Sequence, residues 1–258
     1  MASDKIHMPA GFGGLMRFEE EYEILDVTQA LQEIAQASSR LNFKKECSMG
    51  AINNCLGRWF ELVFFKEIMQ ALDDYNKGVE DKFEICKLPS ASKEKKFINL
   101  FIEEQRSQLK TLNPSTSNPD FILLNGLTQD IYPPDLTIIE KYQYNDYYGT
   151  LNMSNLFSVI SIKTSARPDR RYQQVYEANL IKALFKRFDF KTRFFVITLY
   201  ENEANNSVYA SASIESILLK SPKPYPSIDK AFVLKTNLDI RNLFNTLVKW
   251  EDDNGNPA

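Results

Sequence analysis

The sequence predicts an α/β or α+β domain with a mixed central β-sheet flanked by helices. Helical periodicity dominates the first part of the chain, and β-branched apolar runs then alternate with helical segments. No composition shift marks a linker within the 258 residues. We therefore expect a single domain, residues 1–258, with a mainly helical part at about 15–112 and an α/β core at about 113–250.

Helical spacing of apolar residues dominates the N-terminal part, which contains one strand-like segment, KFEICKL. The predicted elements are helix 18–37, helix 50–74, strand 82–88 and helix 93–112. The helix at 50–74 is apolar enough to be largely buried. The helix at 93–112 is amphipathic and places Phe97 and Leu109 on its apolar side.

The α/β core begins after a turn-rich stretch, PSTSNP. The predicted elements are strand 119–124, strand 156–164, helix 170–188, strand 192–200, strand 207–214, strand 231–236 and helix 238–250. The dipeptide Asn125-Gly126 is a strong turn signal and is predicted to end the first strand. Residues 127–152 are predicted to form an irregular excursion or a poorly regular hairpin, and the strand at 156–164 is predicted to be central.

The apolar face predicted for the helix at 170–188 follows from helical spacing. Its members are Tyr172, Val175, Tyr176, Leu180, Ala183 and Leu184.

Composition excludes several kinds of catalytic site. The chain has one histidine, His7, so Ser-His-Asp and Cys-His chemistry has almost no support. Neither GxxxxGK[ST] nor GxGxxG occurs among the nine glycines. The cysteines, Cys47, Cys55 and Cys86, are odd in number and lack CxxC spacing, so we expect reduced thiols. Catalysis is expected to rest on carboxylates, lysine and a bound metal.

The sequence shows no signal of membrane insertion or export. No apolar run approaches the roughly 18–20 residues that cross a bilayer, and the first residues lack an apolar signal segment. We expect a cytoplasmic protein that does not contact a membrane.

Charge is distributed unevenly along the chain, whose formal net charge is -3. Residues 163–187 contain seven Lys and Arg and two acids, a local net charge of +5. Such a concentration is typical either of a surface that binds a polyanion or of a solvated helix face.

Three residue types at fixed spacing suggest metal-assisted phosphodiester hydrolysis. Asp120 opens one apolar strand, Lys163 ends another, and Glu177 lies about two turns into the following helix. Ser161 and Lys163 point to the same face because strand residues alternate. Two carboxylates can hold Mg²⁺, and a lysine can orient the attacking water and stabilise developing charge.

These residues resemble the motif of the CCGG family of type II restriction endonucleases, within the PD-(D/E)xK nuclease superfamily. Pro119-Asp120 matches PD, and Ser161-Ile162-Lys163 matches the variant in which serine replaces the usual acid. The resemblance implies a PD-(D/E)xK restriction-endonuclease-like core. It also implies that Glu177 supplies the missing acid, so that Asp120 and Glu177 bind the metal, with Ser161 nearby.

The resemblance implies two further groups of functional residues. An early-helix glutamate in a G-x-x-F-E context corresponds to Glu61, which follows Gly57. An Arg-x-Asp-Arg element directly after the lysine corresponds to Arg167, Asp169 and Arg170. Arginine can donate two hydrogen bonds to guanine and aspartate can accept one from cytosine, so this element is expected to recognise the CCGG core.

The function implied by this resemblance is Mg²⁺-dependent cleavage of double-stranded DNA at a palindromic site with a CCGG core. A palindrome requires a two-fold symmetric enzyme, so a homodimer or homotetramer is expected. A cognate DNA methyltransferase is the expected functional partner.

Alternatives remain for individual residues. Asp120 could cap a turn, and Asp135, which also follows a proline, is a second candidate for the metal ligand. Glu177 could pair with a nearby arginine. Glu61 could form a salt bridge, for example with Arg58.

Other functions also remain open. One is another PD-(D/E)xK nuclease, acting in repair or junction resolution. A second is a non-catalytic DNA-binding protein, suggested by Ser161 in place of the acid. A metabolic enzyme has no recognisable cofactor motif in its favour.

Overall fold

A five-stranded mixed sheet lies at the centre of the structure, which is a computed structural model. It describes residues 49–80, 82–88, 97–110, 119–127, 129–147, 149–164, 168–201, 207–218, 220, 222 and 224–249. The strands are β1 (Lys82–Lys87), β2 (Phe121–Leu127), β3 (Leu156–Lys163), β4 (Arg193–Thr198) and β5 (Lys230–Val233). They lie side by side in that order, so β3 is the middle strand, as predicted.

The helices surround this sheet. They are α1 (Met49–Tyr75), α2 (Glu103–Lys110), α3 (Ile138–Gln143), α4 (Pro168–Lys186), α5 (Ile214–Leu218) and α6 (Asn237–Val248). Two short 3-10 helices, Phe97–Leu100 and Met153–Asn155, complete the described elements. The mixed sheet with flanking helices confirms the predicted fold class.

The direction of the strands changes at the centre of the sheet. β1, β2 and β3 pair antiparallel, whereas β3, β4 and β5 pair parallel. Parallel neighbours need a crossover, and α4 provides it between β3 and β4. Because β2 and β3 are antiparallel, the start of β2 lies beside the end of β3, which brings Asp120 next to Lys163.

Aromatic packing fixes α1 over the start of β2. The ring centroids of Phe64 and Phe65 lie 5.3 and 6.1 Å from that of Phe121, and all three side chains are fully buried. Burial of such rings accounts for much of the packing energy of a domain this size. The contact places the middle of α1 near the chain segment that carries Asp120.

Two predicted elements have different bounds in the structure. The predicted helix at 93–112 is a 3-10 helix at Phe97–Leu100 followed by α2, because Phe101 pairs with Leu151 in an isolated bridge between them. The predicted strand at 119–124 continues through Asn125-Gly126 to Leu127. Gly126 adopts φ +66°, and the pairing with β3 shifts register at Leu124.

The predicted strand at 207–214 is wrong. Residues 207–210 form a turn, Ala212 makes one bridge to Pro226, and α5 begins at Ile214. Among the described residues, no strand of the sheet lies beside this segment to extend a ladder, so its strand propensity is not realised.

The predicted inner face of α4 is also wrong in part. Tyr172 and Tyr176 are more than half exposed, whereas Glu177, Ala178 and Ile181 are buried.

The predicted helix at 18–37 and His7 lie outside the described residues. Cys86 is buried and forms no disulfide bond.

Ion pairs connect elements that are distant in the sequence. Arg241 of α6 pairs with Glu67 of α1, and the side chain of Glu67 is buried. Lys182 of α4 pairs with Asp229 at 2.7 Å, just before β5.

Within the described residues, no helix has the length and apolar composition needed to cross a membrane.

Candidate active site

Asp120 occupies the junction of the three antiparallel strands. Its backbone N–H donates to the carbonyl of Ile160 in β3 at 3.1 Å, and its carbonyl accepts from the N–H of Leu88 after β1 at 2.9 Å. The buried run that follows it forms β2 because apolar neighbours cover both sides. Asp120 is therefore held by backbone bonds on both flanks, which fixes where its carboxylate points.

One oxygen of the Asp120 carboxylate collects three contacts from the end of β3. Oδ2 accepts from the N–H of Ile162 at 2.6 Å, from Nζ of Lys163 at 3.2 Å and from Oγ of Ser161 at 3.4 Å. The side chains of Asp120 and Lys163 keep 17% and 19% of their exposure, so a substrate can reach them. The structure therefore places Asp120, Ser161 and Lys163 side by side at the end of β3.

Glu61 approaches from α1. Lys87, the last residue of β1, forms an ion pair with Oε2 of Glu61, and the hydroxyl of Tyr142 donates to the same oxygen at 3.2 Å. A Cβ at Gly57 would lie 3.4 Å from Oγ1 of Thr164, so α1 passes close to the residue after Lys163. The helix segment that carries Glu61 therefore lies beside the end of β3.

Glu177 completes the group from α4. The side chain is 3% exposed, and Oε1 accepts from Nε2 of Gln173 at 3.0 Å. The negative charges of Glu177 and Glu61 both act on the ammonium of Lys163. Asp120, Glu61 and Glu177 come from different parts of the chain. The charges of all three act on the ammonium of Lys163.

The pKa values of Asp120 and Lys163 shift in opposite directions, that of Asp120 downward and that of Lys163 upward. Burial opposes ionisation of Asp120, but the positive charges of Lys163 and Lys87 outweigh it and keep the pKa of the carboxyl below its usual value. Burial likewise opposes the charge on Lys163, but Asp120, Glu177 and Glu61 outweigh it and raise the pKa of the ammonium. Lys163 is therefore a cation at neutral pH, suited to electrostatic stabilisation rather than to accepting a proton.

The donor set is compatible with a hard cation. Among the described residues, no three His, Cys, Asp or Glu side chains converge on a ready-made metal cage. Mg²⁺, however, is commonly held by one or two carboxylates together with substrate phosphates and water. Asp120 bonds to Lys163 and the charge of Glu177 acts on the same ammonium, so these two carboxylates are the residues that could hold it.

The predicted base-contacting element is only partly described. Arg167 lies outside the described residues, and so does the side chain of Asp169, whose backbone belongs to the first turn of α4. Arg170 is exposed, and its guanidinium donates to Oε1 of Gln173 at 3.3 Å. The element therefore begins the helix that carries Glu177.

The basic run contains one residue that cannot contact DNA. Lys182 is 5% exposed, and its ammonium also donates to the carbonyl of Pro226 at 3.0 Å. It therefore belongs to the packing of α4. Lys186 and Arg187 are exposed and remain compatible with a polyanion-binding surface.

Asp135 and the Tyr-rich segment have other surroundings. Asp135 is exposed in the turn before α3, so the structure places Asp120, and not Asp135, beside Lys163. Tyr147 donates its hydroxyl to the carbonyl of Lys87. With Tyr142 bonded to Glu61, this segment supports the β1 side of the site.

A family model described as Cfr10I/Bse634I restriction endonuclease matches residues 17–250, which is most of the chain. The chain belongs to this family. It is thus a type II restriction endonuclease, a site-specific DNA endonuclease, as the resemblance in the motif residues predicted.

Individual members of the Cfr10I/Bse634I family resemble the chain over most of its length. The type II restriction enzyme Cfr10I of Citrobacter freundii is 26% identical over 223 residues, 75% of this chain and 76% of Cfr10I. A crystal structure of the Type IIF restriction endonuclease Bse634I with cognate DNA gives a TM-score of 0.67 at 20% identity, covering 87% of this chain and 85% of that one. A second Bse634I structure gives 0.66 at 20% identity, covering 87% and 86%.

Sequence reasoning missed two site residues of this Cfr10I/Bse634I family member. Lys87 and Tyr142 both contact Glu61. Lys87 is the last residue of an apolar strand, as Lys163 is, so the same pattern could have predicted it. Tyr142 carried no usable signal, because its contact depends on where α3 lies against α1.

Proposed function

We propose that this family member cuts double-stranded DNA at a palindromic site with a CCGG core in a Mg²⁺-dependent reaction. The observation that carries the proposal is the bonded pair of Asp120 and Lys163, approached by Glu177 and Glu61. Two carboxylates around a protonated lysine form a typical site for phosphodiester hydrolysis. Bse634I, a protein of similar fold, has been crystallised with cognate DNA, which supports duplex DNA as the substrate.

Each residue has a separate role in this proposal. Asp120 and Glu177 would hold Mg²⁺, which when bound polarises the phosphate and lowers the pKa of a water molecule. Lys163 orients the attacking water and stabilises the charge that develops on the phosphate oxygens. Glu61, held by Lys87 and Tyr142, adds a third negative charge. Ser161 holds Asp120 in place through its hydroxyl.

Specificity is assigned to the start of α4. Arg167, Asp169 and Arg170 follow Lys163 within seven residues, so binding the scissile phosphate would place them at the bases nearby. An aspartate between arginines suits alternating C and G bases better than a phosphate backbone. We propose that these three residues contact the CCGG core.

A palindromic site implies a homodimer or homotetramer, since each strand must meet an equivalent site. A nuclease of this specificity would act on foreign DNA while a cognate methyltransferase protects the host sequence. We expect it to work in the cytoplasm.

The decisive experiment is a digest of plasmid DNA of known sequence with Mg²⁺. The wild-type protein would be compared with Lys163→Ala and with the control Lys77→Ala, an exposed lysine after α1. We expect discrete fragments whose ends share CCGG, lost by at least about 100-fold in Lys163→Ala only.

Other outcomes separate the alternatives. Cutting at sites without a common sequence would leave a nuclease and remove the role given to Arg167, Asp169 and Arg170. DNA binding without any cutting would remove the Mg²⁺-dependent reaction proposed for Asp120, Lys163 and Glu177. An Asp169→Ala protein that keeps its specificity would remove the base-contacting role given to Asp169.

A further inference from the structure

One glutamine of α4 contacts both a proposed base-contacting residue and a proposed metal ligand. Nε2 of Gln173 donates to Oε1 of Glu177 at 3.0 Å, and Oε1 of Gln173 accepts from the guanidinium of Arg170 at 3.3 Å. Arg170 is exposed, Gln173 is half-buried and Glu177 is buried. These three side chains form a hydrogen-bonded series, which we call the α4 relay, from the surface of the helix to the candidate active site.

The α4 relay lies on one face of the helix. Arg170, Gln173 and Glu177 are at i, i+3 and i+7, the spacing at which successive side chains stack along one side. The next residue, Gln174, points elsewhere, because it is fully buried and its Oε1 accepts from the hydroxyl of Tyr209 at 2.6 Å. Gln174 therefore belongs to the packing of α4, and Gln173 is the glutamine that faces the site.

The middle position of the α4 relay needs a side chain with two different ends. A guanidinium only donates hydrogen bonds, and a carboxylate only accepts them. The side chain between them must accept from Arg170 and donate to Glu177, and a glutamine amide does both without a charge of its own. A glutamate here would repel Glu177, and a lysine would repel Arg170. The amide of Gln173 therefore matches both of its neighbours.

The bond to Gln173 restricts the side chain of Arg170. A guanidinium carries five N–H donors, so one bond to the amide leaves donors for the two acceptors on the edge of a guanine. An exposed arginine loses rotamer entropy when it binds a ligand, and a side chain that is already held loses less. Gln173 therefore prepares Arg170 for a contact with a base.

The other bond of Gln173 restricts Glu177. The terminal torsion of a glutamate is broad, and a hydrogen bond to Oε1 narrows the orientations of the carboxylate. Neighbours that orient a metal ligand in this way matter for binding, since their loss typically costs about 10- to 100-fold in metal affinity. Gln173 is such a neighbour for the carboxylate that is proposed to hold Mg²⁺.

In the proposed function, on which this inference rests, Arg170 contacts the CCGG core and Glu177 holds Mg²⁺. We propose that Gln173 is a positioning residue that couples base recognition to metal binding through the α4 relay. At the correct site Arg170 engages guanine, the amide stays between its two partners, and the Glu177 carboxylate keeps its orientation. At a wrong site the guanidinium turns to other acceptors, so the amide loses one partner and the carboxylate loses its fixed orientation.

Coupling between two binding sites is reciprocal. If the correct bases strengthen metal binding, the metal must strengthen binding of the correct bases by the same factor, and such factors are typically about 5 to 150. A divalent cation should therefore increase the affinity for a CCGG duplex more than the affinity for a duplex with a wrong core. This difference is a property of binding alone and can be measured without cleavage.

The experiment measures duplex binding by fluorescence anisotropy with the purified 258-residue protein. One duplex carries a CCGG core and the other a CGCG core of the same base composition, each in EDTA and in Ca²⁺. Ca²⁺ also takes carboxylate oxygens as ligands, and a denaturing gel checks that the DNA stays intact. Gln173→Met has a similar length and removes both bonds. Gln129→Met, at an exposed glutamine between β2 and α3, is the control.

We expect Ca²⁺ to increase the wild-type affinity for the CCGG duplex roughly tenfold more than that for the CGCG duplex. Gln173→Met should lose most of this gain, and Gln129→Met should keep it. Arg170→Ala should also lose the gain, and adding Gln173→Met to it should cause no further loss, because the two residues act in one series. Gln173→Met should melt at the wild-type temperature, since its side chain is only half-buried.

Three results would overturn the inference alone. They are a Gln173→Met protein that keeps the full Ca²⁺ gain, losses that add in the double variant, and a wild-type protein that prefers CCGG without any gain from Ca²⁺. A lowered melting temperature with equal losses on both duplexes would also overturn it, by assigning Gln173 a purely structural role. A wild-type protein that binds both duplexes alike would contradict the proposed specificity itself, and the coupling with it.

Discussion

Two lysines set the charge balance of the site at the scale of single residues. Lys163 bonds to Asp120, and Lys87 pairs with Glu61 while its charge also lowers the pKa of Asp120. Burying two carboxylates without such partners would be costly. The lysine charges therefore keep Asp120 ionised at neutral pH before any metal binds.

Lys87→Met should slow cleavage roughly 10- to 100-fold, because Glu61 loses the partner that positions it. Removing the Lys87 charge raises the pKa of Asp120, so the acid limb of the pH–rate profile should move to higher pH. Single-turnover cleavage across pH and Mg²⁺ concentration measures both effects. Lys82→Met, at the exposed other end of β1, is the matched control and should behave as the wild type. An unchanged acid limb in Lys87→Met would contradict the assigned role.

Glu84 makes stability depend on pH. Burial raises its pKa to about 7, although the N–H of Ile131 donates to its carboxylate. The unfolded chain releases this proton near its ordinary pKa, so the free energy of unfolding falls as pH rises from about 4.5 to 7. Glu84→Gln should unfold like the wild type below that window and be more stable above it, by at most about 3 kcal/mol. Urea titrations at pH 4.5 and 8 test this, with the exposed Glu104→Gln as the control.

At the scale of elements, α4 combines three tasks. It makes the crossover from β3 to β4, it carries Glu177 into the site, and its first turn contains Asp169 and Arg170, two of the proposed base-contacting residues. A parallel crossover places the start of such a helix at the end of the preceding strand. The catalytic candidates and the proposed base-contacting residues are therefore neighbours because of the topology, and Gln173 bonds to the side chains of both Arg170 and Glu177.

Lys182 of α4 should matter for stability and not for DNA affinity. Its partner Asp229 also accepts the N–H of Phe194 at 2.7 Å, so the pair joins α4 to the start of β4 and β5. Lys182→Met leaves a carboxylate without its cation and should lower the free energy of unfolding by about 3 kcal/mol. The salt dependence of DNA binding should not change. Lys186→Met, at an exposed position on the same helix, should show unchanged stability. A Lys182→Met protein with unchanged stability and a weaker salt dependence of DNA binding would place Lys182 on the DNA-binding surface.

At the scale of the whole molecule, the mainly helical part and the α/β core share one sheet. β1 comes from the former and pairs with β2 of the latter, and α6 packs back on α1. Asp120 and Glu61 are therefore brought together by the assembly of both parts. The site is complete only when the described elements are folded around the same sheet.

Arg241→Ala should destabilise the whole fold, because it leaves the buried carboxylate of Glu67 without this partner between α6 and α1. We expect the free energy of unfolding to fall by about 2 kcal/mol, less than for a fully buried pair because Arg241 is half exposed. Chemical denaturation with one cooperative transition would support a single folding unit. Early loss of α6 alone would show that the helix docks independently.

The site was predictable from the sequence where local spacing carried the information. Asp120, Lys163 and Glu177 lie at fixed positions relative to a strand start, a strand end and a helix, and each position follows from periodicity. Lys87 and Tyr142 were missed because they reach Glu61 from 26 and 81 residues away. Tyr172 was assigned to the wrong face because an exposed tyrosine has the same helical spacing as a buried one.

The sequence by itself determined the class of the fold and most of its elements, and it predicted the carboxylates and lysine of the candidate site. These follow from side-chain period and motif spacing, which are properties of short segments. Only the tertiary structure decided the partners: Lys87 for Glu61, Asp229 for Lys182, and solvent for the tyrosines of α4. The partner of a side chain depends on which strands lie side by side and on how the helices pack across them. No pattern within a short segment specifies that arrangement.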